Sequence, residues 1–455
     1  MNIKAVLFYI TCAVLFADSS GDVELCLKCV CDKKVLIKPL YTVSCSHLGL
    51  QDTFRNVGQW PEYSQQQETR MAVNFDWNDI KHLKKFPNIP GIVSLSFRHN
   101  KMTEIQGSAF VKLDNLKVLD LSYNQLTAEG VQADVFRGPY SSQRYNPLGI
   151  AVLDLGSNQI HALSPHSFEH LPNLMELRLN NNPLKVLSPA TVMALSSPES
   201  LQTLDLSYTG LSDLPETFVQ LSSVRHKLQF LYVNGNRFSH VPQTLAALGD
   251  SLQKLNLNDN PIPELDEDSF RGLLLLRELN ISAMSHLGRI GPSTFTHLRS
   301  LEILFCSYNH NLTEIDEEAF GYGVIDWTLK ELHLQSNALH TLPAQLAPWK
   351  ELDVVDVRDN PWHCDCDMDW FISDLLPILE NTNPDFVLAL QSPPKHIWDR
   401  SSVLRSAFDA VGIVLLISVA VLIVFYHIKC RRSVTHSTQT QVTPNIRYMK
   451  ANTEA

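Results

Sequence analysis

The chain has 455 residues, 44% of them hydrophobic and 19% charged, with a formal net charge of −11. At that length a chain would ordinarily hold several domains, but internal repeats explain most of it. The acidic excess disfavours nucleic acid or another polyanion as the main ligand, and at the least keeps the surface soluble.

The start, Met1-Asn2-Ile3-Lys4, leads into an apolar run from Ala5 to Ala17. A short basic segment before an apolar one is the pattern of a secretory signal peptide, here residues 1–18, cleaved near Ala17 or Ser19. A retained anchor is the alternative, but the run is too short to span a bilayer comfortably. Residues 19–69 then form a lead-in that holds Cys26, Cys29, Cys31 and Cys45. In a secreted chain four cysteines so closely spaced point to disulfides more than to zinc.

From residue 70 to residue 361 one register recurs, cleanest in Leu116-x-x-Leu119-x-Leu121-x-x-Asn124-x-Leu126 and Leu174-x-x-Leu177-x-Leu179-x-x-Asn182-x-Leu184. Its first position falls at residues 70, 92, 116, 150, 174, 201, 228, 252, 276, 301, 329 and 352, so twelve repeats stand mostly 22 to 28 residues apart. A period of this size means a stacked solenoid, because no single repeat buries its apolar side alone. Positions 4 and 6 alternate with outward residues at period two. They belong to one short strand, and stacking sets such strands side by side in a parallel sheet. The asparagine at position 9 satisfies backbone groups that the turn leaves without partners. It is kept as Asn78, Asn100, Asn124, Asn158, Asn182, Asn236, Asn260, Asn309, Asn337 and Asn360, while Thr209 and Met284 replace it in the sixth and ninth repeats. The return segments place a Phe three residues before a Leu, at Phe168/Leu171, Phe218/Leu221, Phe270/Leu273 and Phe295/Leu298, filling the other side of the core. The long step from 116 to 150 contains Gly138-Pro139-Tyr140-Ser141-Ser142 and reads as an inserted loop.

With these motifs the chain resembles extracellular leucine-rich-repeat proteins over about residues 26 to 371. The resemblance implies an α/β fold: a leucine-rich-repeat solenoid, curved as a right-handed horseshoe, with the parallel sheet on its concave face. It also implies that the four early cysteines form an N-terminal cap, paired Cys26–Cys31 and Cys29–Cys45. Cys306 occupies position 6 of the tenth repeat and reads as a small buried hydrophobe. Asn360-Pro361-Trp362-His363-Cys364-Asp365-Cys366 resembles the opening of the family's C-terminal cap, within residues 362–408. Here the chain departs from the pattern, since Leu390 stands where a further cysteine belongs, shortly before Ser392-Pro393-Pro394. Cys364 and Cys366 thus lack their usual partners, and three outcomes are open. They bond each other, near the geometric limit; they stay reduced, which an oxidising compartment disfavours; or they bridge to a second chain and make a homodimer.

Residues 409–428 hold a second apolar segment, Ala410 to Ile428, whose nineteen residues at about 1.5 Å each span roughly 28 Å. Lys429, Arg431 and Arg432 follow, which assigns residues 429–455 to the cytoplasm. The expectation is one transmembrane helix and a single-pass type I protein of the plasma membrane, N-terminus outside. A buried soluble helix and a cleaved lipid-anchor signal are the alternatives. The tail of 27 residues is too short for a folded signalling domain, and Cys430 is a palmitoylation candidate or a free thiol.

Twelve strands about 4.8 Å apart give a face roughly 50 Å long, which suits a protein partner better than a metabolite. Its outward position 5 reads Asn74, Ser96, Asp120, Asp154, Arg178, Asp205, Tyr232, Asn256, Asn280, Phe305, His333 and Asp356. The candidate ligand-binding residues are Asp120, Asp154, Arg178 and Asp205 with Tyr123, Tyr208, Phe230 and Tyr232 beside them, because rigid aromatics next to charges make interface anchors. Solvation of the sheet, or pairing of Arg178 with Asp154 and Asp205, is the competing account. Asn280-Ile281-Ser282 and Asn311-Leu312-Thr313 are glycosylation acceptors, and a sugar on Asn280 would stand on the binding face.

No catalytic motif is found: no Gly-x-Ser-x-Gly elbow, no His-Glu-x-x-His, no phosphate-cradling glycine loop. Neither a cofactor nor a metal site is expected, and the function class is recognition rather than catalysis. The leading expectation is an adhesion molecule or receptor that binds an extracellular protein ligand. The second is an accessory membrane subunit that modulates a partner receptor or channel.

Overall fold

The computed structural model describes residues 23–32, 40–66, 68–220, 222–323, 326–363 and 368–377. It divides into two compact units, residues 1–362 and 363–455. In the first unit each repeat supplies one short strand to a single sheet, from Met71–Asn74 in the first repeat to Val354–Asp356 in the twelfth. Neighbouring repeats pair in parallel, and after one register shift between Met71 and Ala72 against the second strand, position 5 meets position 5 throughout: Asn74, Ser96, Asp120, Asp154, Arg178, Asp205 and Tyr232 stand in one row, as do the later ones through Asp356. The register is strict because a shift by one residue would turn every position-4 leucine to solvent. Leu95, Leu119, Leu153, Leu177, Leu204 and Leu231 are in fact fully buried.

Two further strands close the N-terminal end. Val30–Cys31 pairs antiparallel with Tyr41–Ser44, which pairs in parallel with the first repeat, so the sheet has 14 strands. The disulfides Cys26–Cys31 and Cys29–Cys45 hold this cap, as the resemblance implies. Cys306 is free and buried, and burial pushes its thiol up to about 12.

The asparagine ladder carries the turns. Asn124 donates from Nδ2 to the carbonyls of Phe97 and Leu121 at 3.0 and 3.1 Å, and its Oδ1 accepts from the Met102 N–H at 3.0 Å. The same three bonds recur at Asn100, Asn158, Asn182 and Asn260. Thr209 offers one hydroxyl in place of the amide; it donates to the Leu206 carbonyl at 2.7 Å within its own repeat and also reaches Asn236 Oδ1 of the next repeat at 3.1 Å. Met284 is wholly buried and fills the place with thioether instead.

On the opposite side Phe168, Phe218, Phe270 and Phe295 are buried as expected, with Leu171, Leu273 and Leu298, while Leu221 lies outside the described residues. Short parallel strands also form there, Glu264–Leu265 with Arg289–Ile290 and then Glu314–Ile315. The insertion in the third repeat is not the plain loop its composition implies. Tyr140–Ser141 and Arg144–Tyr145 pair antiparallel across Ser142 and Gln143, whose φ values are 48° and 66°. Two central residues at positive φ match the twist of a tight hairpin, which makes a ribbon out of a sequence without the usual Asn-Gly.

In the second unit the described residues include a π-helical turn, Phe371–Leu375. No helix among the described residues is long and apolar enough to cross a membrane. The expected membrane helix (409–428), the signal peptide, Cys430, and Cys364 and Cys366 with the homodimer expected through them all lie outside the described residues.

Candidate protein-binding face

Four of the eight candidate residues lie side by side. Asp120, Asp154, Arg178 and Asp205 occupy adjacent rungs of the position-5 row. Arg178 bonds Asp154 at 3.4 Å and also pairs with Glu176, two residues back on its own strand. No Arg178–Asp205 ion pair exists among the described residues; Asp205 instead accepts from the Ser207 N–H at 2.9 Å. The competing account of simple cross-strand pairing therefore holds for Asp154 and not for Asp205. Glu176 escaped notice in the sequence because it stands at position 3, outside the row that was considered. Burial, followed by the neighbouring Asp120 charge, raises the Asp154 carboxyl, while its Gly156 hydrogen bond and Arg178 pull it down.

Around these charges lies a shallow depression of about 280 Å³, lined among others by Arg98, Tyr123, Asp154, Arg178, Asn180 and Asp205. Gly156 opens it: a Cβ there would stand 2.5 Å from the Asn180 side-chain oxygen. Tyr123 and Tyr208 are exposed beside the row. Phe230 and Tyr232 lie farther along, half-buried on the seventh strand. Lys254 reaches over the Tyr232 ring at 5.7 Å and bonds Glu278 at 2.7 Å, so that end of the face is already internally paired. Asn280 holds its expected place in the row, half-buried, its Oδ1 accepting from the Ser282 N–H at 3.0 Å. Asn311 is exposed and donates to the Ser285 carbonyl at 2.6 Å.

The residue before each ladder position adopts left-handed backbone, including Trp77, His99, Tyr123, Ser157, Asn181, Asp259 and Tyr308 before asparagines and Tyr208 before Thr209, at φ between 54° and 60°. Bulky side chains are uncommon there. At the N-terminal end they stack: His47 on Trp77 at 5.5 Å, Trp77 on His99 at 3.7 Å, and His99 beside Tyr123 at 4.2 Å. The Arg98 guanidinium sits 4.6 Å from the Tyr123 centroid. Sequence reasoning found only Tyr123 of this set. An aromatic at the same offset before Asn78, Asn100 and Asn124 was the available signal.

With the repeat geometry established, likeness to known proteins follows it closely. A model described as Leucine rich repeat matches residues 86–139, 149–199 and 226–285, and a second of the same description matches 200–221. Lumican of Mus musculus is 32% identical over 275 residues, which cover 58% of this chain and 71% of that protein. The chain belongs to the leucine-rich-repeat family. Podocan-like protein 1 of Mus musculus is 28% identical over 310 residues, 59% of this chain and 52% of the relative. Tsukushi of Gallus gallus is 29% identical over 270 residues, 58% of this chain and 67% of the relative. This leucine-rich-repeat chain thus spans about half the length of podocan-like protein 1.

These relatives are non-enzymatic, secreted proteins of the extracellular-matrix type. They overturn the localisation expected from hydropathy, a single-pass type I protein of the plasma membrane with its N-terminus outside. The physical reason is that an apolar run records a length and a transfer preference, and neither states where a solenoid of this family works.

Proposed function

We propose that this protein is an extracellular recognition protein that binds a protein ligand across the sheet face of repeats three to seven. The observation that carries the reading is the row Asp120, Asp154, Arg178 and Asp205, set on adjacent strands with Tyr123 and Tyr208 exposed beside it. A hydrogen-bonded sheet holds these groups in place before any ligand arrives, so little ordering entropy opposes association. The shallow depression suits side chains of a macromolecule rather than an enclosed small molecule. A glycan on Asn280 would restrict a large partner to the earlier repeats, whereas one on Asn311 would leave the row clear. Proximity labelling in the extracellular space, comparing the native chain with an Asp120→Lys, Asp205→Lys variant, tests the reading. Loss of a specific set of labelled proteins supports it, and an unchanged set from a folded variant rules it out.

A further inference from the structure

The stack His47–Trp77–His99–Tyr123 runs over four successive rungs, from the cap to the third repeat, with Trp77 52% and Tyr123 40% exposed. Left-handed backbone disfavours such side chains, and stacking returns a comparable amount. The aromatic wall therefore gains the fold little, yet it leaves a continuous apolar strip in water. Because the rings cover one another's faces, what the strip offers is their edges. That excludes a sugar ring lying flat on an aromatic face as the natural occupant.

Charge decides among the remaining occupants. At His99, the centre of the stack, burial and the Arg98 charge disfavour the protonated ring, and Asp76 and Asp120 oppose them. Asp76 is held by Ser96 and by the Arg98 N–H at 2.7 Å, and burial followed by the Asp120 charge raises its carboxyl against those bonds. Farther along the same face stand Asp154, Glu176 and Asp205, with only Arg98 and Arg178 as cations in the first six repeats' outward positions. A second copy of this chain would bring like charge to like charge.

We infer that the aromatic stack and its acidic flank form a docking strip for a basic segment of a partner protein. The methylene stems of lysine or arginine side chains lie along the ring edges, and their charged heads reach Asp76 and Asp120. This inference rests on the sheet-face reading above, extends that face from the third repeat toward the cap and names the partner's chemistry.

The test uses the full chain and fluorescently labelled twelve-residue peptides (about 40 Å extended) in which lysine alternates with valine, against the same peptide with glutamate for lysine. Anisotropy is expected to show the lysine peptide binding at least about tenfold more tightly, and weakening as salt rises. Trp77→Ser and, separately, Asp76→Asn with Asp120→Asn are each expected to lower that affinity about tenfold, whereas Phe305→Ala at the other end of the face leaves it unchanged. The carboxamide pair keeps the stack intact, so a folding failure of Trp77→Ser does not remove the test. No binding of the lysine peptide, equal binding of the glutamate peptide, or indifference to both Trp77→Ser and the carboxamide pair overturns the proposal. Sensitivity to Phe305→Ala in place of Trp77→Ser overturns the strip, whereas the sheet-face reading is decided separately by the labelling of the Asp120→Lys, Asp205→Lys variant.

Discussion

Removing one rung of the asparagine ladder tests the physical basis of the fold. In Asn158→Ala the lost groups are Nδ2, which donates to the Leu121 and Leu155 carbonyls at 3.1 and 3.0 Å, and Oδ1, which accepts from the Leu126 N–H at 3.0 Å. The two carbonyls keep a second donor each, Asn124 and Asn182 respectively. Each of those losses should therefore cost no more than about 1 kcal/mol. The Leu126 N–H has no other acceptor among the described residues, and an orphaned buried donor costs about 1–3 kcal/mol. The sum is about 3 kcal/mol, against about 1 kcal/mol for Thr209→Val, which loses a single hydroxyl proton shared between the Leu206 carbonyl and Asn236 Oδ1. Urea unfolding followed by circular dichroism reads both, with attention to whether the transition splits, since solenoids lose cooperativity locally. A loss below about 1 kcal/mol for Asn158→Ala would refute the claim that the ladder supports the turns.

Three other outcomes are expected. Gly235→Ala places a side chain at φ +65° and 2.1 Å from the Tyr208 ring. It should cost about 1–2 kcal/mol for the backbone alone, with the excess recovered in a Tyr208→Ala background when the double-mutant cycle is measured by thermal unfolding. Burial, and then the Arg98 charge, hold the His99 imidazole below its ordinary 6.5. The unfolded chain therefore takes its proton first, and stability falls as the pH drops from above that value through the folded one. His99→Gln should flatten that decline in melting profiles, though not abolish it, because His170 is also lowered, mainly by burial. Cys306, its thiol raised to about 12 by burial, should resist maleimide at neutral pH in the folded chain and react in denaturant, as peptide mapping would show.

Strand register and the ladder were legible in the residues because both rest on local rules. Period two sets which side chains turn inward, and the repeat length brings each asparagine under the next turn. The two cap disulfides came from resemblance and were met in the fold. The inserted hairpin was not legible, since Ser142 and Gln143 carry none of the usual preference for positive φ.

By itself, then, the sequence determined a stacked solenoid and its outward row, because alternation and repeat length are properties of neighbours along the chain. Only the tertiary structure decided that Arg178 turns to Asp154 and Glu176 and leaves Asp205 without it. It alone brought His47, Trp77, His99 and Tyr123 into one stack. Those side chains lie on different rungs, and whether they meet depends on rotamer and left-handed backbone rather than on spacing.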